Sequence, residues 1–268
     1  MNDDLLKGSE YTGPYLTYSD ILYNHKEEGD YSVCILPWGS FEPHGLHLPY
    51  LTDGLLASLV SVIAVEKTEE LKYKFMILPC INMGSQNPGQ TNKKYCIHYS
   101  STTQFSILVD IVDSLYGQGI KTLVIINGHN GNDFKIIVRD IENMYPDFKI
   151  FVCDYLDIIE KNKEHFKTIM SFPEVDDHAG FTETSLMMAY LPYFVRTEYL
   201  DKQKEDKESK ERPKYMWTPR DWDDVSTFTN IGDPSTSSEE DGEFLMEFVT
   251  HAISKSLIEI YEKWVINR

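Results

Sequence analysis

The stretch KTLVIINGHNGNDFKIIVRDIENMY (residues 121–145) reads in one pass as strand, turn and helix. Its first part is a continuous apolar run, the pattern of a strand covered on both faces. Glycines and asparagines then interrupt the chain, with His129 inside the interruption. From Asn132 onward the apolar positions recur at helical spacing, and Asn132 is of the type that caps a helix start.

Working outward, the same unit repeats. YSVCILPWG (31–39), KFMILPCI (74–81) and FKIFVCDY (148–155) are further short apolar runs with strand character. DGLLASLVSVIAVEKTEEL (53–71) and TTQFSILVDIVDSLYGQG (102–119) carry helical patterns between them, the second ending on glycine. Strands alternating with helices predict a three-layer α/β/α sandwich with a mainly parallel central sheet. The terminal stretch EEDGEFLMEFVTHAISKSLIEIYEKW (239–264) predicts an amphipathic helix with Phe244, Phe248, Ala252, Leu257 and Ile260 near one face. The charged tract DKQKEDKESKERPK (201–214) reads as a solvated excursion. No repeat or boundary divides residues 1–268, which are expected to form a single domain.

A net charge of −18 argues against nucleic acid and against anionic membrane as partners. No apolar run approaches the ~20 residues of a membrane-spanning helix. Cys34, Cys80, Cys96 and Cys153 lack metal-type spacing and read as buried free thiols, which suits a reducing compartment. A cytoplasmic protein acting on a small molecule is the expectation.

Sites in open parallel sheets form beyond the carboxyl ends of strands. GSFEPHGLHLPYLTD (39–53) follows the first strand and brings Glu42, His44, His47 and Asp53 to that edge; His129 follows the third. On extended backbone Glu42 and His44 share a face, and Pro43 stiffens the pair. Carboxylates and imidazoles are the ligand types of Zn²⁺, Mn²⁺ or Fe²⁺, and the two oxygens of Asp53 can bridge two ions. Asp53 can equally be a helix cap. A third cluster, DDHAGFTETSLMMAYLP (176–192), holds His178 and Glu183 around a turn into an apolar helix, which Thr182 or Thr184 could start.

LPWGSFEPHGLHLPYLTD, INGHNGN and HAGFTETSLMMAYLP, in that order, resemble the creatininase (creatinine amidohydrolase) family. LTYSDI and IGDPSTSSEEDGEFLMEF are similar to its flanking segments, so the resemblance spans residues 16 to 262. It implies an α/β fold, two divalent metal ions, often a hexameric homo-oligomer, and hydrolysis of amide-like C–N bonds in small molecules. By motif position it implies that Glu42 and His129 bind one ion, His44 the other, and Asp53 both. Creatininase has a metal-binding glutamate two residues after the histidine of its NGH motif; here that position is Gly131, so Glu183 is the candidate replacement. The catalytic residues expected are His178 as proton carrier, Asp177 orienting it, and Glu183 as base if it is not a ligand. NPGQT (87–91) stands where many members carry a phenylalanine–proline–glycine–threonine segment, with His98 and Tyr99 expected near the substrate. A formamidopyrimidine-nucleotide deformylase is one alternative, with Lys93, Lys94 and Arg139 the cations available for phosphate. A non-catalytic metal- or ligand-binding relative is the other.

Overall fold

The computed structural model describes residues 32–68, 74–203 and 215–266. Four parallel strands form the central sheet: β1 (Val33–Trp38), β2 (Phe75–Ile77), β3 (Thr122–Asn127) and β4 (Lys149–Asp154). The spatial order is β2-β1-β3-β4, with Cys34 opposite both Met76 and Leu123. Helix α1 (Thr52–Glu66) connects β1 to β2, α2 (Ser101–Gly117) connects β2 to β3, and α3 (Phe134–Met144) connects β3 to β4. The chain therefore winds outward from β1 and then returns past it to β3. The crevice between the carboxyl ends of β1 and β3 is the switch point at which such sheets bind ligands.

Side-chain alternation explains why these strands lack a polar face. Val33, Ile35, Val124 and Ile126 point into one apolar cluster, while Cys34, Leu36, Trp38, Leu123 and Ile125 point into the other. The first cluster lies under α1, α6 (Phe181–Tyr190) and α8 (Glu239–Tyr261); the second lies under α2 and α3. Each such fully buried aliphatic side chain stabilises the fold by about 1.5–3 kcal/mol. The α/β sandwich expected from the sequence is thus the observed one. The remaining short helices are α4 (Tyr155–Lys161), α5 (Lys163–Phe166) and α7 (Trp222–Val225), and β5 (Asp176–His178) pairs antiparallel with β6 (Ile231–Gly232).

Two expectations about the helices change. The cap of α3 is Asp133, whose side chain accepts from the Lys135 N–H. Asn132 is instead buried and ties three segments together: its Oδ1 accepts from Ser85 N and Gln104 Nε2, and its Nδ2 donates to Asn127 Oδ1. The buried stripe of α8 runs through Leu245, Met246, Val249, Ile253 and Leu257. Phe248, Ile260 and Leu257 join that core as expected, whereas Phe244 is exposed, because α8 is rotated to bring Gly242 against α6. A Cβ at Gly242 would stand 2.0 Å from the Ser185 carbonyl oxygen, so only glycine permits this approach. Most of the charged tract, residues 204–214, and the LTYSDI segment lie outside the described residues. Among the described residues, all four cysteines are free, but only Cys34 is fully buried, its thiol pushed up to about 12 by burial, whereas Cys80, Cys96 and Cys153 are half-buried rather than buried as expected; no helix there is long and apolar enough to cross a membrane.

Candidate metal centre

The loop after β1 turns sharply and delivers Glu42 and His44, both fully buried, to the crevice. Asp53 enters from the first turn of α1, but its carboxylate does not cap the helix; Leu51 occupies the cap position, and no side chain bonds there. His129 enters from the end of β3. Glu183 enters from the first turn of α6, and His178 from β5. Ala179, between them, adopts a left-handed φ of 47°, unusual for a residue with a Cβ. That bend brings its N–H within 2.6 Å of Glu183 Oε2. The helix start expected at Thr182 or Thr184 is at Gly180, with the Asp176 carboxylate accepting from Thr182 N. Thr184 Oγ1 instead bonds His47 Nε2 at 2.7 Å.

Each of three imidazoles is anchored through its far nitrogen to a backbone carbonyl. His129 Nε2 donates to Ser85 O at 2.9 Å, His44 Nδ1 to Glu42 O at 3.0 Å, and His178 Nε2 to Pro43 O at 3.0 Å. A carbonyl can only accept, so in each neutral ring the other nitrogen carries a lone pair. Those lone pairs face carboxylates. His129 Nδ1 is 3.1 Å from Glu42 Oε1 and 3.3 Å from Asp53 Oδ2. His44 Nε2 is 2.8 Å from Asp53 Oδ1 and 3.8 Å from Glu183 Oε1. His178 Nδ1 is 3.6 Å from Glu42 Oε1. Glu42 Oε1 and Asp53 Oδ2 are buried with no hydrogen-bond partner among the described residues.

Acceptors converging on acceptors in a buried site repel one another unless a proton or a cation lies among them. In the metal-free protein the proton serves. Burial alone would lower His44, but Asp53 and Glu183 raise it to about 10. Burial likewise opposes Glu42 and Asp53, which together hold His129 well above its ordinary value. Burial pushes Glu183 up to about 8, against the pull of His44. Burial and the charge of His44 depress His178, and burial depresses the His47 ring to about 4. Three donor sets each bring their donor atoms within 4.8 Å of one another: Glu42, Asp53 and His129; His44, Asp53 and Glu183; and Glu42, His44 and His178. Oxygen and imidazole donors with carbonyl-anchored rings are the surroundings of Zn²⁺ or Mn²⁺.

Gly131 cannot hold a ligand in this backbone. A Cβ there would stand 2.2 Å from Ser85 O and 2.4 Å from His129 Nε2, breaking the bond that orients the ring. Asp177, expected to orient His178, does not touch it. Successive residues of β5 face opposite sides, so Asp177 turns away from the ring and bonds Arg220 at the cavity wall, while Asp176 and His178 turn inward. His98 and Tyr99 are absent from the cavity wall; His98 Nδ1 accepts from Gln86 N. The same loop contributes Gln90, whose Nε2 donates to Glu42 Oε2 at 2.7 Å. Lys93 is paired with Asp223 at 2.6 Å, and neither it, Lys94 nor Arg139 lines the cavity. Sequence reasoning missed Gln90, Arg220 and Trp222, all on the cavity wall. The cavity over the centre measures about 230 Å³ and adjoins a second of about 340 Å³ that shares His178 and Glu183.

A doubly wound α/β sheet with an acidic, imidazole-rich centre at its switch point defines the class. The sequence model of the creatininase family (creatinine amidohydrolase) matches residues 16–257, and the chain belongs to that family of hydrolases. A creatinine amidohydrolase of Pseudomonas putida is 27% identical over 248 residues, covering 85% of this chain and 89% of its own. A mycofactocin precursor peptide peptidase of Mycobacterium tuberculosis is 28% identical over 61% of each chain. Among solved structures, a putative creatinine amidohydrolase from Bacteroides fragilis superposes with a TM-score of 0.82 at 36% identity, covering 94% of this chain and 96% of that one. A manganese creatininase superposes with a TM-score of 0.76 at 23% identity, covering 95% and 99%, which bears on the fold alone.

Proposed function

We propose that this chain hydrolyses a C–N bond in a small molecule, an amide, cyclic amide or formamide, using two divalent cations. Glu42 and His129 would hold one, His44 and Glu183 the other, with Asp53 available to both. One observation carries the reading: Asp53 presents Oδ1 to His44 and Oδ2 to His129, at 2.8 and 3.3 Å, so its two oxygens already serve two donor sets. Cations bound there supply Lewis acidity and make water reactive near neutral pH.

The protein's own residues do the rest. Gln90 orients Glu42, and the Ser85, Glu42 and Pro43 carbonyls hold the three rings in register. His178, fixed through Nε2, takes a proton on Nδ1 and returns it to the leaving nitrogen. The backbone N–H groups of Asn130 and Gly131, on the cavity wall, stabilise negative charge developing on the substrate oxygen. Trp222, whose ring centre lies 4.8 Å from that of His178, shields it from bulk water.

The test is metal analysis of the purified chain together with ammonia, amine and formate release from a panel of cyclic amides, formamides and short peptides. Two ions per chain with turnover of a small amide is the expected result. Turnover of a formamido nucleotide alone identifies the deformylase, cleavage of a peptide alone a peptidase, and fewer than two ions without turnover a binding protein.

A further inference from the structure

The wall facing the centre is built from a segment that the proposed mechanism uses only as a shield. Residues 217–222 pack over the 87–90 loop, where Trp222 N donates to Pro88 O at 2.9 Å and Gly89 takes a φ of 84° to admit the contact. A Cβ at Gly89 would meet Trp222 N at 2.9 Å, so the backbone at Trp222 sits close against this loop. Trp222 lines the cavity, is only 4% exposed, and stands edge-on to His178. Its Nε1 is buried and has no hydrogen-bond partner among the described residues.

Buried indole N–H groups ordinarily find an acceptor, because an unpaired buried donor is costly. The group donates and cannot accept, so what it lacks is an oxygen or a nitrogen lone pair. Arg220 lies beside it on the same wall and is held by Asp177, which assigns Asp177 the task of fixing that guanidinium. Trp222 and Arg220 therefore line the same cavity as the carboxylates of Glu42, Asp53 and Glu183.

We propose that Trp222 determines specificity by donating its indole N–H to a carbonyl or carboxylate oxygen of the substrate next to the bond that is cut. The inference rests on the hydrolase reading, because it takes the molecule in this cavity to be the substrate. It makes the substrate an amide with an oxygen acceptor beyond the reacting carbonyl, seated between Trp222 and the acidic centre.

The test is a titration of ¹⁵N-labelled, zinc-loaded protein with three probes. N-formylglycine carries a carboxylate, N-formylglycinamide only carbonyl oxygens, and acetamidine no oxygen. The four tryptophans give resolved indole N–H signals, and the one missing in Trp222→Phe is assigned to this residue. That signal moves downfield and saturates with one or both formyl probes and stays still with acetamidine. Whichever formyl probe moves it distinguishes carboxylate from carbonyl. Trp222→Phe keeps its metal content and binds the active probe on the order of tenfold more weakly or worse, as the loss of one bond to a polar ligand predicts. Trp264→Phe, a tryptophan that does not line the cavity, leaves affinity unchanged. An indole signal that does not respond while a probe binds, equal affinity of wild type and Trp222→Phe, or no binding by either formyl probe overturns the assignment. Protein that takes up no zinc defeats the hydrolase reading instead, and the same titration still reports on Trp222.

Discussion

Loading the centre with cations should expel protons in a number that depends on pH. In the metal-free protein His44 titrates at about 10, raised by Asp53 and Glu183 against burial, and His129 well above its ordinary value. Both rings are therefore protonated at pH 7. Glu183, pushed up by burial to about 8, is then about nine-tenths protonated. His178 is depressed and contributes nothing. Ligands must be deprotonated to bind metal, so zinc uptake at pH 7 releases about three protons per chain. At pH 9 Glu183 holds only about one-tenth of a proton while His44 still holds most of one, so the release falls by about one. Calorimetric titration in buffers of different ionisation enthalpy counts these protons directly. Release of fewer than one proton at pH 7, or an increase between pH 7 and pH 9, would refute the reasoning. The same groups set the metal-free stability. A raised histidine stabilises the fold fully below its unfolded value of 6.5, and the gain is lost as pH rises through about 10. Glu183 adds a loss of the same sign between 4.5 and about 8.

Three further outcomes follow from particular residues. Asp53→Asn keeps the shape but removes the charge that faces both rings, and elemental analysis should find both ions lost together. His178→Ala should leave the metal content intact and slow turnover by about 10²- to 10⁴-fold, the usual worth of a positioned proton carrier; undiminished turnover would remove His178 from the chemistry. Gly131→Ala places a methyl against the Ser85 carbonyl and the His129 ring, and should cost about 1–3 kcal/mol in thermal or denaturant unfolding while weakening metal binding.

The sheet was readable because apolar continuity marks strands covered on both faces, and β1 and β3 have that pattern throughout. The convergence of Glu42, His44, Asp53 and His129 was readable because strand ends in such sheets meet at one edge. What failed depended on facing rather than on type. Asp177 and Asp176 are identical in sequence terms, and only the alternation of β5 separates the one that bonds Arg220 from the one that caps α6. Asn132 and Asp133 are both good caps, and the buried amide network claimed the first. Trp222 and Gln90 reach the cavity from segments with no strand or long helix to announce them, and β5 and β6 are too short to leave a periodic signal.

The three rings take their bearings from the peptide backbone at Ser85, Glu42 and Pro43 rather than from other side chains. Main-chain oxygens are carried by every amino acid, so a change of side chain at Ser85 or Pro43 leaves these anchors in place so long as the local path of the chain is kept. The reactive centre is thereby insulated from genetic drift around it. The wall from Trp217 to Trp222 reaches the cavity through its side chains and has no such protection. Descendants of this fold can exchange one clientele for another by altering that wall, while the machinery underneath is inherited untouched.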